Sequence, residues 1–236
     1  MGILLCCKRD GDSAGADLDL FSSHISSTRG RPAAGEAFTP NSPLKTYYEA
    51  NIPRMSSEMQ VLFKAHFTRS VLRRVDCILR LLGVEEVQHL AVILDQLADV
   101  ESVTLVGNHL GAAGLEVLMP SLQKLPKLIK LKIAQNDLQD AGAMVLARGL
   151  GKLCLLQELL LEENCIEDKG AVVLAKALPE CRELTLLDLQ RNLIGLAGFE
   201  ELLKAASECP HLDTIKISGN GFKVPTSRPS LPFKVL

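Results

Sequence analysis

Apolar and polar positions along the second half of the chain recur with one fixed period. Asn108, Asn136, Asn164, Asn192 and Asn220 are evenly spaced and mark it as a 28-residue period. Before each Asn stands an apolar triplet: Val100/Val103/Leu105, Leu128/Leu131/Ile133, Leu156/Leu159/Leu161, Leu184/Leu187/Leu189 and Leu212/Ile215/Ile217. After it, Gly114, Gly142, Gly170 and Gly198 keep the same spacing, as do Leu118, Leu146, Leu174 and Leu202. So many columns in register identify an internal repeat. Apolar residues two apart, such as Leu159 and Leu161, share one face of a short strand. Leu174 and Leu178, four apart after Gly170, share one face of a helix. Strand and returning helix, repeated, predict a parallel sheet backed by helices. The recurring Asn can donate and accept, and so pair backbone groups that stacking would otherwise bury unpaired. The recurring Gly lies at the entry to the helix, where a Cβ would be in the way.

The consensus L-x-x-L-x-L-x-x-N-x-L, seen as LQELLLEENCI from Leu156 to Ile166, resembles the leucine-rich repeat. The 28-residue length and the Gly six residues past the Asn are similar to the ribonuclease-inhibitor-like subtype. The resemblance covers Val100 to about Phe222 and implies an α/β fold. That fold is a right-handed solenoid, a short horseshoe with strands on the concave face and helices on the convex face. After Gly221 and Phe222 the pattern stops. Pro225, Pro229 and Pro232 forbid another full helix there. Phe233, Val235 and Leu236 are expected to cover the open end of the core.

The flanks read differently. Residues 1–43 are rich in Ser, Gly, Ala and Pro without periodicity, and are expected to be a disordered tail. Residues 44–99 are expected to form a helical N-terminal cap, and 100–236 the repeats with their C-terminal cap. Within FKAHFTRSVLRRVDCILRLLG, Phe67, Val71, Val75 and Ile78 are at helical spacing. Gly83 would end that helix, and a second is expected over about Val84 to Ala98. Leu90, Leu94 and Leu97 lie one full period before Leu118, Leu122 and Leu125, which marks a degenerate repeat sealing the end.

Composition narrows the function. Lys+Arg number 26 against Asp+Glu 28, a formal net charge of -2, so no global positive field is offered to nucleic acid. Aromatic residues make up 4% with no Trp, which disfavours base-stacking platforms. The seven cysteines include no CxxC pair, and the five histidines are scattered singly, so neither a metal site nor a disulfide framework is expected. Cys181 and Cys209 occupy a column held by Leu125 and Leu153 earlier, and read as small core residues. GDSAG, Gly11 to Gly15, matches the serine-hydrolase elbow in letters but has no strand before it and no apolar helix after it. No catalytic residue, cofactor or small-molecule substrate is expected.

A protein partner is expected instead. The strands' outward positions carry Ser102, Thr104 and Val106, then Lys130, Lys132 and Gln135. Next come Glu158, Leu160, Glu162 and Glu163, then Leu186, Asp188, Gln190 and Arg191, and finally Thr214 and Lys216. With strands about 4.8 Å apart, a basic stripe would run beside an acidic one, with Leu160 and Leu186 exposed between polar neighbours. Exposed leucines in that setting suit a partner. The start, MGILLCC, resembles the N-myristoylation signal at Gly2, with Cys6 and Cys7 as palmitoylation candidates. Two acyl chains would anchor stably at the cytoplasmic face of a membrane. The chain thus reads as a cytoplasmic, membrane-tethered adaptor. Because proteins with this repeat subtype include small-GTPase activators and enzyme inhibitors, a regulator of a partner enzyme is the alternative, with Arg191 as the nearest thing to a finger residue.

Overall fold

The computed structural model describes residues 43–67, 72–78, 82–222 and 233–236. Two helices open it, α1 (Pro43–Asn51) and α2 (Ser57–Phe67), followed by strand β1 (Arg74–Ile78) and helix α3 (Val84–Leu94). Four strand–helix units follow: β2 (Ser102–Val106) with α4 (Gly111–Leu122), β3 (Lys130–Lys132) with α5 (Gln139–Leu150), β4 (Glu158–Leu160) with α6 (Asp168–Ala177), and β5 (Leu186–Asp188) with α7 (Leu196–Ala206). Strands β6 (Thr214–Lys216) and β7 (Lys234–Val235) close the series. All seven strands form one parallel sheet in chain order.

The register repeats the sequence period. Arg74, Ser102, Lys130, Glu158, Leu186 and Thr214 are successive partners, each one period further along the chain. Consecutive helices pack on one another behind the sheet. Packed helices need 8–10 Å between axes, whereas strands need about 4.8 Å. Stacking the two at one period bends the sheet inward and leaves strand side chains on the concave face.

Between the layers the triplet columns are buried without exception, from Val100, Val103 and Leu105 to Leu212, Ile215 and Ile217. The Asn column works as a hydrogen-bond ladder. Asn164 is fully buried: its Nδ2 donates to the Ile133 carbonyl 2.6 Å away, and its Oδ1 accepts from Asn136 N at 2.9 Å. Asn136 and Asn192 make the corresponding bonds one repeat to either side.

A second ladder was not foreseen. Helices α6 and α7 gain no side-chain hydrogen bond from their own N-cap residues, Glu167 and Gly195. Their orphan amides are met by the preceding repeat instead. Asp140 Oδ1 accepts from Glu167 N at 2.9 Å and Gly170 N at 2.8 Å, and Asp168 Oδ1 does the same for Gly195 N and Gly198 N at 2.7 and 3.0 Å. A Cβ on Gly170 would stand 2.5 Å from Asp140 Oδ1, and one on Gly198 2.6 Å from Asp168 Oδ1. At Gly170 and Gly198 the glycine column is therefore a close-approach requirement set by a carboxylate from the neighbouring repeat, whereas at Gly142 the Leu138 side chain, 2.6 Å from a Cβ, sets it.

Three expectations are corrected. The helix expected within residues 63–83 ends at Phe67, and Arg74–Ile78 is a strand. Leu72, Val75 and Cys77 are a further apolar triplet, buried and one period before Val100, Val103 and Leu105. The segment 44–99 thus contributes a full strand to the sheet. The second helix ends at Leu94, short of Ala98. At the other end Phe233 is buried, whereas the Leu236 side chain is 58% exposed and covers no core. Its backbone instead extends the edge pairing, Leu236 N donating to the Ile215 carbonyl at 2.9 Å. Pro225, Pro229 and Pro232 lie outside the described residues. In the N-terminal cap, Tyr48 and Phe63 rings pack 5.4 Å apart, and the Tyr47 hydroxyl pairs with His89 Nδ1 at 2.7 Å, tying α1 to α3.

Candidate functional site

The concave face is built by the outward positions of β2 to β6 and the residues just past them. Its basic and acidic stripes do not stand as separate fields. Lys130 Nζ lies 2.6 Å from Glu158 Oε2, and Lys132 Nζ 3.1 Å from Glu162 Oε1. Arg191 Nη1 lies 2.9 Å from Glu163 Oε1, and Lys216 Nζ 3.2 Å from Asp188 Oδ2. Each pair spans neighbouring repeats, so the face is close to self-neutral. The more exposed of them, Lys130–Glu158 and Arg191–Glu163, contribute about 0–1 kcal/mol each.

Leu160 is a correction. It is only 6% exposed, not a solvent-facing anchor. In the register it stands between Lys132 and Asp188, on the inside of the bend where side chains converge. Leu186 remains partly exposed, between Glu158 and Thr214. Asp188 is nearly enclosed, its side chain 3% exposed. Burial pushes its carboxyl above the ordinary value and the charge of Glu162 adds to that, against the Gln190 amide and Lys216, which pull the other way.

At the strand exits a column running through five repeats enters the left-handed region: Gly107 (φ 69), Gln135 (57), Glu163 (56), Arg191 (54) and Gly219 (79). The three central repeats thus hold non-glycine residues where glycine is cheapest, at about 1–2 kcal/mol each. Their amides donate to the next repeat: Gln135 N to the Glu162 carbonyl, Glu163 N to that of Gln190, and Arg191 N to that of Ser218. Their side chains also join, Gln135 Nε2 donating to Glu163 Oε2 at 3.1 Å while Arg191 holds the other oxygen. Glu162, Glu163, Gln190 and Arg191 come together around a cleft of about 320 Å³, completed by Ser218 and Gly219. Lys130, Lys132, Glu158 and Leu186 lie along the same face outside that cleft. Arg191, read from sequence as a possible finger, is tethered to Glu163.

Among the described residues no group of His, Cys, Asp or Glu could hold a metal ion, and no helix is long and apolar enough to cross a membrane. Gly2, Cys6, Cys7 and the GDSAG segment lie outside the described residues.

The profile of the Leucine Rich repeat family matches residues 124–147 and 152–175, two segments whose starts are one period of the register apart. The two matched segments are leucine-rich repeats. A solved structure titled Leiomodin-1 Actin-Binding Site 2 (ABS2) is similar at 21% identity over 60% of this chain and 78% of that one, with a TM-score of 0.45. No match was found among curated proteins. Sequence reasoning missed three features of the candidate site: the cross-repeat ion pairs, the left-handed exit column and the burial of Leu160. The first had a visible signal, since Lys130/Glu158 and Lys216/Asp188 are opposite charges exactly one repeat apart in the sequence.

Proposed function

We propose that the chain is a non-catalytic protein-interaction module that takes its partner on the concave face. The observation carrying this is the strip of partly exposed, mutually paired charges on β3 to β6, with Leu186 among them. Lys130 and Glu158 side chains are 39% and 37% exposed, and Arg191 is 73% exposed. Opening pairs of this kind costs little, and a partner's own charges can replace them, so the strip sets partner choice and register more than raw affinity. Leucine-rich repeats generally act as such modules. Glu158→Lys combined with Leu186→Arg is expected to weaken capture of the native partner at least tenfold with the fold intact. Lys176→Glu on α6, at the back, should leave capture unchanged. Loss on Lys176→Glu alone would put the site on the helices.

A finer proposal rests on the MGILLCC motif alone: acylation of Gly2, Cys6 and Cys7 tethers the module to a membrane. One chain gives only reversible binding and two give stable anchoring. Mass spectrometry of the N-terminal peptide should show a fatty acyl group on Gly2 and at least one thioester. A peptide with both cysteines free and no acyl group on Gly2 would remove the tether and leave the interaction module standing.

A further inference from the structure

The loop edge between strands and helices carries a different surface. Leu193 and Leu196 are 48% and 47% exposed, an unusual concentration of large apolar side chains for this protein's surface. Each belongs to a column of the repeat. Leu193 follows Asp137 and Cys165 at 28-residue steps, and Leu196 follows Asp140 and Asp168. Along the solenoid the edge therefore passes from carboxylates to leucines within two repeats. Asp137, Asp140, Glu167, Cys165 and Leu193 line one cleft of about 310 Å³.

The charge state of this cleft contrasts with the concave face. There, Glu158, Glu162, Glu163 and Asp188 each have a lysine or arginine within 3.2 Å. Among the described residues, Asp137, Asp140 and Glu167 take part in no salt bridge, and no basic side chain lines the cleft. One oxygen of Asp140 caps α6 and one of Asp137 accepts from Gln139 Nε2 at 3.2 Å, which leaves the second oxygen of each and the Glu167 carboxylate to face an incoming cation.

We infer that this edge is a second interaction surface, and that it takes a basic amphipathic helix of a partner protein, its cations over Asp137 and Glu167 and its apolar residues on Leu193 and Leu196. The edge lies between strands about 4.8 Å apart and helices about 8–10 Å apart, so two repeats put Asp137 and Leu193 roughly 10–20 Å from each other, the rise of about seven to thirteen residues of α-helix. A helix with basic residues in its first two turns and leucines in its last two matches both ends at once. Unneutralised carboxylates steer the cations in, and burial of the leucines holds the helix.

The test uses the full-length chain and two capped alanine-based peptide helices, followed by fluorescence anisotropy. One carries arginines in its first two turns and leucines in its last two; the other has glutamates in place of the arginines. Saturable binding is expected for the arginine helix, and at least tenfold weaker binding for the glutamate one. Asp137→Asn with Glu167→Gln, and separately Leu193→Ser, should each weaken the arginine helix at least fivefold at unchanged circular dichroism. Asparagine tolerates the left-handed backbone at position 137 (φ 53). Glu158→Lys with Leu186→Arg, which tests the concave site, should leave this binding alone. Equal affinity for both helices, no saturable binding, insensitivity to the edge variants, or loss with the concave variants would each overturn the inference. So would a dimer in sedimentation velocity that Leu193→Ser dissolves, since the leucines would then meet a second copy of the chain.

Discussion

Removing one rung of the asparagine ladder gives a magnitude that the geometry sets in advance. In Asn164→Ala, four hydrogen bonds disappear from a fully buried position. Two of the losses are covered. The Glu162 carbonyl still accepts from Gln135 N, and the Leu161 carbonyl from Asn192 Nδ2. The other two are not: Asn136 N loses the Asn164 Oδ1 acceptor, and the Ile133 carbonyl loses its Asn164 Nδ2 donor. A buried, unsatisfied group costs about 1–3 kcal/mol, so the expected loss is roughly 2–6 kcal/mol, a large part of a domain's stability. Asn220→Ala removes similar bonds at the last, part-buried rung, where water can reach the freed groups, and should cost less than half as much. Urea unfolding followed by circular dichroism reads both, as midpoint shifts at a common slope. A midpoint for Asn164→Ala equal to wild type, or no lower than that of Asn220→Ala, would refute the ladder's assigned role.

Three further outcomes follow from the same geometry. Gly170→Ala sets a Cβ 2.5 Å from Asp140 Oδ1 and 2.8 Å from Ile166 Cγ2, and should cost about 1–3 kcal/mol in thermal melts, whereas Gly83→Ala, with nothing within 4 Å, should be near neutral. Asp188 has a folded pKa above its unfolded value, so its contribution is full below the unfolded pKa and is lost as pH rises through the folded one. Asp188→Asn should therefore unfold at higher urea than wild type near neutral pH, with the gap closing as pH falls towards about 4; a gap that widens on acidification would reverse the assignment. Burial pushes the Cys181 thiol up to about 12, and Cys209 is raised as well, while Cys154 is exposed. Residue-resolved alkylation of the native protein at mildly alkaline pH should label Cys154 at least about tenfold faster than either buried thiol.

The fold was legible wherever several columns ran together. Asn, Gly and the apolar triplet located five strands and four helices from Val100 onward without reference to anything but spacing. Legibility failed at β1, for a local reason. Val71, Val75 and Ile78 satisfy a helical period while Val75 and Cys77 satisfy a strand period, and Arg80 stands where the repeat would place its Asn. Only the 28-residue offset to Val103 and Leu105 resolves the ambiguity, and that contact is made across repeats. The concave residues were legible as a face but not in their burial. Alternation tells which side of a strand Leu160 occupies, while its enclosure depends on curvature and on what Lys132 and Asp188 do beside it. Asp140 and Asp168 were invisible as caps because the N-cap amides they serve lie 27 residues later.

The central claim, that the strand face is where a partner sits, is tested most directly by site-specific photo-crosslinking in the native cell. A photoreactive residue replaces Leu186 on the concave face and, in a second protein, Lys176 on the back of α6. The account predicts one discrete crosslinked protein from position 186, lost when Glu158→Lys is added, and none from position 176. A discrete crosslink from 176 with none from 186 would contradict it.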